Sequence, residues 1–418
     1  MKLVNQQLNQ KACSYINQLC MEIPERCVGS EGNRRAADLL ESYLQSFNFE
    51  TYKPSFDCVE WRGGKATLQV DGEDFSVMVS PYSRGGKVSA PLVTLSSVEE
   101  LKQVEGEGKV ILLKGEIARE QLLPKNFPFF NLSEHKEIID LLESGIAKAV
   151  ICATSYNPEM AGGVYPFPLI EDGDFVLPSV YTTERVGERL AAHQGKDVLL
   201  EVEATRQSAK GYNVVARKGK GSIPKVVFCA HLDSKQGTPG AIDNAAGLVA
   251  LILFAELLKD YQSSLAVEIV AINGEDYYSN PGEALYMKEL QNSSESIILG
   301  VNIDGAGYIK GDTAVSDYDC SAVVKELISC LINKTPGVIQ GEPWYQGDHA
   351  LFIQNRIPAM GITSERMKDV LAVSHTPRDT PDLVDCNKLV TVAVFLYNLM
   401  QELEKTGTRG VRRESATC

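Results

Sequence analysis

Five short polar groups recur along the chain, the first four of them at or just beyond the end of an apolar run. The run Val226–Ala230 ends in His231-Leu232-Asp233, and Asp243 follows inside Gly240-Ala-Ile-Asp-Asn-Ala-Ala-Gly247. The run Leu265–Ile272 leads to Gly274-Glu275-Asp276, and the run Ile297–Ile303 leads to Asp304-Gly305. Finally Ser374-His375-Thr376-Pro377 opens a loop that reaches Asp382. Carboxylates brought close together repel, and without a cation some of them have to stay protonated. Two divalent ions resolve that conflict. With Asp243, Asp276 and Asp304 as ligands one positive charge is left, which a hydroxide neutralises. Mixed imidazole and carboxylate sets suit zinc, and paired ions sit ~3.5–4 Å apart, sharing a water or a carboxylate. Such a pair lowers the pKa of water towards neutrality. A carboxylate that does not bind the ions can then take the proton and pass it to a leaving amine.

These residues need a scaffold that delivers them to one rim. From about residue 206 onward apolar strand-like runs alternate with helical patterns: Ala245–Leu258, Glu283–Gln291, Ala322–Ile332, Ala350–Gln354 and Lys388–Leu403. Alternation of this kind predicts an α/β fold, a mostly parallel sheet between helices. In such sheets ligands collect beyond the C-terminal ends of the strands, where four of the five groups fall. Residues 3–20 and 34–48 read as further helices, the second from Ala36, Leu39, Leu40, Tyr43, Leu44 and Phe47 at a 3.6-residue period. The stretch 57–205 differs: short strands (Lys65–Val70, Lys109–Leu113, Ala147–Cys152, Asp197–Val202), many Gly and Pro, and two obvious helices. It reads as a domain inserted into the first, entered and left by loops. The expected organisation is therefore 1–56 and 206–418 as one catalytic domain, interrupted by 57–205.

Composition narrows the partners. The chain has 418 residues and a net charge of −14, which opposes binding to nucleic acid or to anionic membranes. Hydrophobic residues make up 44%, enough for a large core, while the longest apolar run, Leu248–Leu258, is too short to span a bilayer. The start MKLVNQQLNQ lacks the apolar segment of a secretion signal. None of the ten cysteines forms a CxxC pair; Cys13 and Cys20 fit one helix face, Cys152 and Cys229 fit buried strands, and reduced thiols in a cytoplasm are expected. His135 and His193 fall on polar helices of the insertion and are expected in solvent, and the tail GTRGVRRESATC is expected to fray.

Taken in order, His231-x-Asp233, the Asp243 motif, Glu275-Asp276, Asp304 and His375 resemble the co-catalytic dizinc aminopeptidases, an exopeptidase family that also holds glutamate carboxypeptidase and glutaminyl cyclase. Arg26-Cys-Val-Gly-Ser-Glu-Gly-Asn33 and Gly347-Asp-His-Ala-Leu-Phe352 before Ile357-Pro358 support the likeness, which covers roughly 1–56 and 206–418. The resemblance implies two zinc ions per chain, with His231 and Asp304 on one, Asp276 and His375 on the other, and Asp243 bridging. It makes Glu275 the general base, and Asp233 the residue that orients His231. It also implies a cis peptide between Asp243 and Asn244. The family often has Glu-Glu where this chain has Glu275-Asp276, a side chain shorter by one methylene. The insertion resembles a protease-associated domain, a lid-like β-rich module, through Gly108–Leu113, Ala147–Ile151 and Pro178–Tyr181.

Around these residues, Asp348 fits the cap of the next helix, with a second role towards substrate because the related cyclases use an aspartate there. His349 beside it is expected to be structural. Tyr345, next to Trp344, either stabilises an oxyanion or lines a pocket wall. Tyr277, Tyr278 and Tyr308 are expected to shape the specificity pocket. The function implied is a metal-dependent aminopeptidase acting on the N-terminal residues of peptides. Glutaminyl-peptide cyclisation is the alternative, because His231-Leu-Asp-Ser-Lys235 resembles the cyclase motif, and a carboxypeptidase relative is another. A receptor-like protein without catalysis is a third, although such relatives lose metal ligands and all five positions here keep them.

Overall fold

The structure is a computed structural model that describes residues 2–23, 25–156, 166–219, 223–262, 264–293, 295–344 and 346–411. The chain divides into two compact units. One comprises Met1–Asp57, Lys210–Tyr277 and Pro281–Cys418, the other Cys58–Ala209 with Tyr278–Asn280.

Among the described residues, the first unit holds an eight-stranded sheet. Its order is Glu50–Tyr52, Val214–Lys218, Ala266–Ile272, Lys225–His231, Ile297–Ile303, Ala359–Ser364, Thr313–Tyr318, Val338–Gln340. The four central strands, Ala266–Ile272 to Ala359–Ser364, run parallel. Val214–Lys218 and Thr313–Tyr318 flank them antiparallel. The central strands are apolar on both faces because both faces are covered. Val226, Phe228, Ala230, Leu299, Val301 and Ile303 enter a core shared with the helices Lys2–Asn17, Glu31–Ser46, Ala246–Leu257, Ala322–Lys334 and Cys386–Val411. On the opposite face Gly300 lies under the ring of Phe352 from the helix His349–Gln354, where a Cβ would sit 2.2 Å from the ring. The helix Ala246–Leu257 is buried from Ala246 to Ala255 and so shows no polar stripe; it is the centre of that core.

Several elements depart from the sequence reading. The first helix ends at Asn17 and continues as a π-helical turn, Gln18–Glu22. The second starts at Glu31, ahead of its apolar pattern, because Ser30 caps it by accepting the Asn33 amide at 3.1 Å. The last helix runs to Val411 and takes in the start of the tail expected to fray, whose end, 412–418, lies outside the described residues. Cys13 does not keep a free thiol: it forms a disulfide with Cys386, Cα to Cα 5.7 Å, joining the first helix to the last. No described helix is long and apolar enough to cross a membrane.

The second unit carries its own eight-stranded sheet among the described residues, in the order Glu73–Phe75, Ser55–Val70, Asp197–Tyr212, Gly86–Leu95, Lys109–Leu113, Ala147–Thr154, Ser179–Thr183, Met78–Val79. Three short α-helices, Val98–Lys102, Ser133–Leu141 and Glu184–Ala191, take the place of the two expected. The chain enters and leaves along the 16-residue strands Ser55–Val70 and Asp197–Tyr212, not through loops. Much of each strand is exposed or half-buried and polar, so the apolar alternation that betrays a strand is present only at one end. His135 is not in solvent: it is 6% exposed, and its Nδ1 accepts the Leu123 amide at 3.0 Å. His193 lies beyond the helix Glu184–Ala191, half-buried and edge-on to Phe75.

Candidate metal centre

Sheet register brings the site together. His231 ends its strand opposite Ile272 of the parallel neighbour, so the segments 232–233 and 273–276 leave the sheet side by side. Asp304 follows the strand on the other side, its amide bonded to Ile362 O at 2.9 Å. Asp233 then straps the second turn. Its Oδ1 accepts the amides of Gly274 (2.7 Å) and Glu275 (3.2 Å), and its Oδ2 accepts that of Asp276 (3.0 Å). The link from Asp233 to His231 is through its backbone carbonyl, 3.2 Å from Nδ1; the carboxylate is farther, at 3.8 Å.

The reacting edges converge. Nε2 of His231 lies 3.0 Å from Asp243 Oδ1 and 3.5 Å from Asp304 Oδ1. Nε2 of His375 lies 3.2 Å from Asp243 Oδ2 and 2.8 Å from Asp276 Oδ1. Asp243 thus presents one oxygen to each imidazole. Two donor triads, His231–Asp243–Asp304 and Asp243–Asp276–His375, each fit within 4.8 Å and share Asp243, and a third, His231–Glu275–Asp276, adds Glu275. His231 Nε2 and Asp276 Oδ2 are buried without a hydrogen-bond partner, an arrangement that a cation between the donors would satisfy. Nitrogen and carboxylate oxygen are the donors zinc takes. The residues present fit a pair of such ions.

The peptide Asp243–Asn244 is cis, and Asn244 is fixed on both sides: Nδ2 donates to Ile303 O at 2.8 Å and Oδ1 accepts the Gly247 amide at 3.0 Å. His375 sits at φ +61°, a left-handed conformation that few side chains adopt and that clusters at functional sites. Burial works against a charged His231, yet Asp233, Asp243 and Asp304 push its pKa well above the ordinary value. The same holds for His375, through Asp276 and Asp243. Burial raises the Glu275 carboxyl well above the usual range; His231 opposes this, while Asp276, Asp304 and Glu283 add to it. The protein alone therefore concentrates more negative charge here than it neutralises.

Other expected residues fall elsewhere. Tyr345 lies outside the described residues. Asp348 occupies the cap position of the helix His349–Gln354, but its side chain makes no cap bond; it is buried, 1% exposed, and its carboxyl is raised by that burial and then by Glu283 and Glu275. His349 stacks on Tyr318 at 4.6 Å. Tyr308 belongs to the hydrophobic core, Tyr277 is buried, and Tyr278 groups with the second unit, 4.7 Å from the ring of Tyr82. Two participants went unassigned in the sequence. Asp379 accepts the amides of Ile242 (2.8 Å) and Asp243 (3.1 Å), and burial followed by the Asp243 charge pushes its carboxyl up to about 7. Arg26, fully buried, donates to the carbonyls of Leu19, Leu232, Pro239 and Gly240. The only sequence signal for Asp379 was its place four residues beyond His375.

A mostly parallel α/β sheet whose strand ends gather two histidines and three aspartates has the architecture of the zinc exopeptidases. Residues 213–400 match the model of peptidase family M28. The chain is similar to the probable lipoprotein aminopeptidase LpqL of Mycobacterium tuberculosis, 26% identical over 67% of this chain and 54% of the relative. It is also similar to the aminopeptidase YwaD of Bacillus subtilis, 25% identical over 71% and 61%. Little more than half of these relatives' length is thus spanned. Its fold resembles the solved aminopeptidase from Aneurinibacillus sp. strain AM-1, TM-score 0.72 at 21% identity, covering 94% and 93% of the two chains. It also resembles the zinc aminopeptidase BSAP from Bacillus subtilis, TM-score 0.69 at 21% identity over 96% and 97%. A glutaminyl cyclase from Porphyromonas gingivalis is more distant, at TM-score 0.52 and 13% identity over 94% and 98%. The stretch that matches the M28 family model lies, but for Tyr278–Asn280, within the α/β unit.

Proposed function

We propose that this protein is a metal-dependent aminopeptidase that removes N-terminal residues from peptides with two zinc ions per chain. The observation that carries the reading is the pair of donor triads joined through Asp243. His231 and Asp304 would hold one ion, His375 and Asp276 the other, and Asp243 would bridge them. When bound, such ions polarise the scissile carbonyl and lower the pKa of the attacking water. Glu275, beside His231 and Asp276 yet outside the two triads joined by Asp243, takes the water's proton and delivers it to the leaving amine. Asp233 holds the turn that carries Glu275, and so fixes the base relative to the ligands.

The same reading treats 57–205 as an accessory module of the protease-associated type, which its separate sheet supports. An oxidising compartment suits the protein better than the cytoplasm, because disulfides such as Cys13–Cys386 form and persist chiefly in such compartments.

The test compares zinc-loaded and chelator-stripped protein on aminoacyl-nitroanilides and on glutaminyl-peptide cyclisation. Zinc-dependent hydrolysis is expected, with Glu275→Gln slower by about 10²–10⁴-fold. Cyclisation without hydrolysis would place the chain with the cyclases instead. Activity untouched by chelation would sink both metal-dependent readings, and an unimpaired Glu275→Gln would remove Glu275 as the base.

A further inference from the structure

The segment 239–243, which carries Asp243, is held from two sides, by a guanidinium and by a carboxyl group. On one side the buried guanidinium of Arg26 donates to Pro239 O and Gly240 O, both at 2.8 Å, and its Nε reaches Leu232 O at 3.1 Å, just past His231. On the other, Asp379 takes the amides: its carbonyl accepts Ala241 N at 3.3 Å, and its carboxylate accepts Ile242 N and Asp243 N. Carbonyls face the guanidinium and amides face the carboxyl oxygens, so the peptide dipoles of the segment are aligned between them. Gly240 makes this possible, for at φ +59° a Cβ would lie 2.8 Å from the Arg26 guanidinium and 2.6 Å from Asp243 O. Neither side chain belongs to a donor triad. Each spends its hydrogen bonds on backbone groups of this segment, and because buried backbone donors and acceptors are costly to leave unpaired, these bonds hold its conformation.

We infer that Arg26 and Asp379 are positioning residues that set the bridging carboxylate of Asp243 before metal arrives, and so fix the zinc affinity of the site. This rests on the dizinc reading above. The bracket also ties chain ends to the site. Arg26 follows the helix Lys2–Asn17, and Asp379 precedes the helix Cys386–Val411, the two helices joined by the disulfide. The site therefore depends on residues that touch neither ion nor substrate.

The experiment titrates chelator-stripped protein with zinc against a chromophoric chelator, for the parent, Asp379→Asn and Arg26→Lys, with circular dichroism to confirm folding. Asparagine keeps one acceptor oxygen but points its amide NH2 at the second backbone amide, and lysine cannot span four separated carbonyls. Both variants are expected to bind zinc about 10–100-fold more weakly, with KM little changed and kcat recovering as zinc is raised. A role confined to stability would not be rescued by zinc. A second measurement needs no variant: in stripped parent protein the amides of Ile242 and Asp243 are expected to resist hydrogen exchange, because they are already bonded to Asp379. If the folded variants bind zinc as tightly as the parent, or if those amides exchange freely before zinc is added, the inference is wrong. If the parent itself takes up no zinc, the dizinc reading fails first.

Discussion

Asp233 Oδ2 accepts the backbone amide of Asp276 at 3.0 Å, so a carboxylate two residues beyond His231 fixes the chain at a member of the donor triad that holds His375. The two halves of the centre are coupled through one side chain, which also takes the amides of Gly274 and Glu275. Asp233→Asn keeps the shape but loses an acceptor. Zinc affinity is expected to fall about 10–100-fold, read by chelator competition, and kcat/KM with it. Retained affinity would show that the turn holds its shape unaided.

Gly247 offers a steric test of the same rim. A Cβ there would lie 2.4 Å from Asn244 Oδ1 and 2.7 Å from Ile303 O. Gly247→Ala is expected to cost about 1–3 kcal/mol as overpacking and to lower zinc content per chain, measured by thermal unfolding and metal analysis.

A contrasting variant lies at the other end of the same strand. Glu268, 1% exposed, accepts from Lys225 (2.9 Å), Arg217 (2.5 Å) and Tyr286 (2.7 Å), and Lys225 also meets Glu295 at 2.7 Å. Breaking a buried pair by removing one partner costs about 3–5 kcal/mol, so Lys225→Met should lower the denaturation midpoint clearly. Lys225 is six residues before His231, roughly 20 Å along the strand. Zinc content and kcat of the folded fraction are expected to stay at the parent level.

The acid range carries a signed prediction in the second unit. Burial holds the Asp172 carboxyl above its ordinary value, against the amides of Lys125 and Asp174 that favour its charge. An acid with a raised folded pKa binds its proton more tightly when folded, so its contribution is greatest below the unfolded pKa and declines as pH rises through the folded one. The melting temperature of the parent relative to Asp172→Asn is therefore expected to fall as pH rises above the ordinary aspartate range of about 3.9. A difference that grows with pH would reverse the assignment.

Reduction is the fifth test. The Cys13–Cys386 bond closes a loop of 373 residues, and cross-links of long loops stabilise by of order 2–5 kcal/mol. Dithiothreitol should lower the unfolding midpoint of the parent and leave Cys386→Ser unmoved.

His231, Asp276 and Asp304 were readable as candidates because they stand at or just past the ends of apolar strand runs, whereas Asp243 and His375 were picked out only by their place in the ordered set of motifs. Sheet register did the rest, once His231 stood opposite Ile272. Arg26 and Asp379 could not be read that way, since their partners are backbone atoms of a segment far off in sequence, and backbone leaves no mark on residue type. Cys13 and Cys386 likewise meet only through the packing of the first and last helices. His135 was misplaced because its burial depends on the amide of Leu123, in a loop without periodic pattern. The long strands Ser55–Val70 and Asp197–Tyr212 were shortened in the reading wherever both of their faces are polar.

The chain returns to the first unit beside the point where it left. Asp57 and Lys210 form an ion pair at 2.7 Å, and the ring of Phe56 lies over Gly211, with no room for a side chain there. The strands that carry them are hydrogen-bonded neighbours. The excursion between them is a closed detour: a tight turn joining Asp57 to Lys210 would bypass the second unit without removing one residue of the donor triads. The second unit is thus an insertion whose two ends meet at one pair of neighbouring strands, so its removal would leave a single hairpin between them.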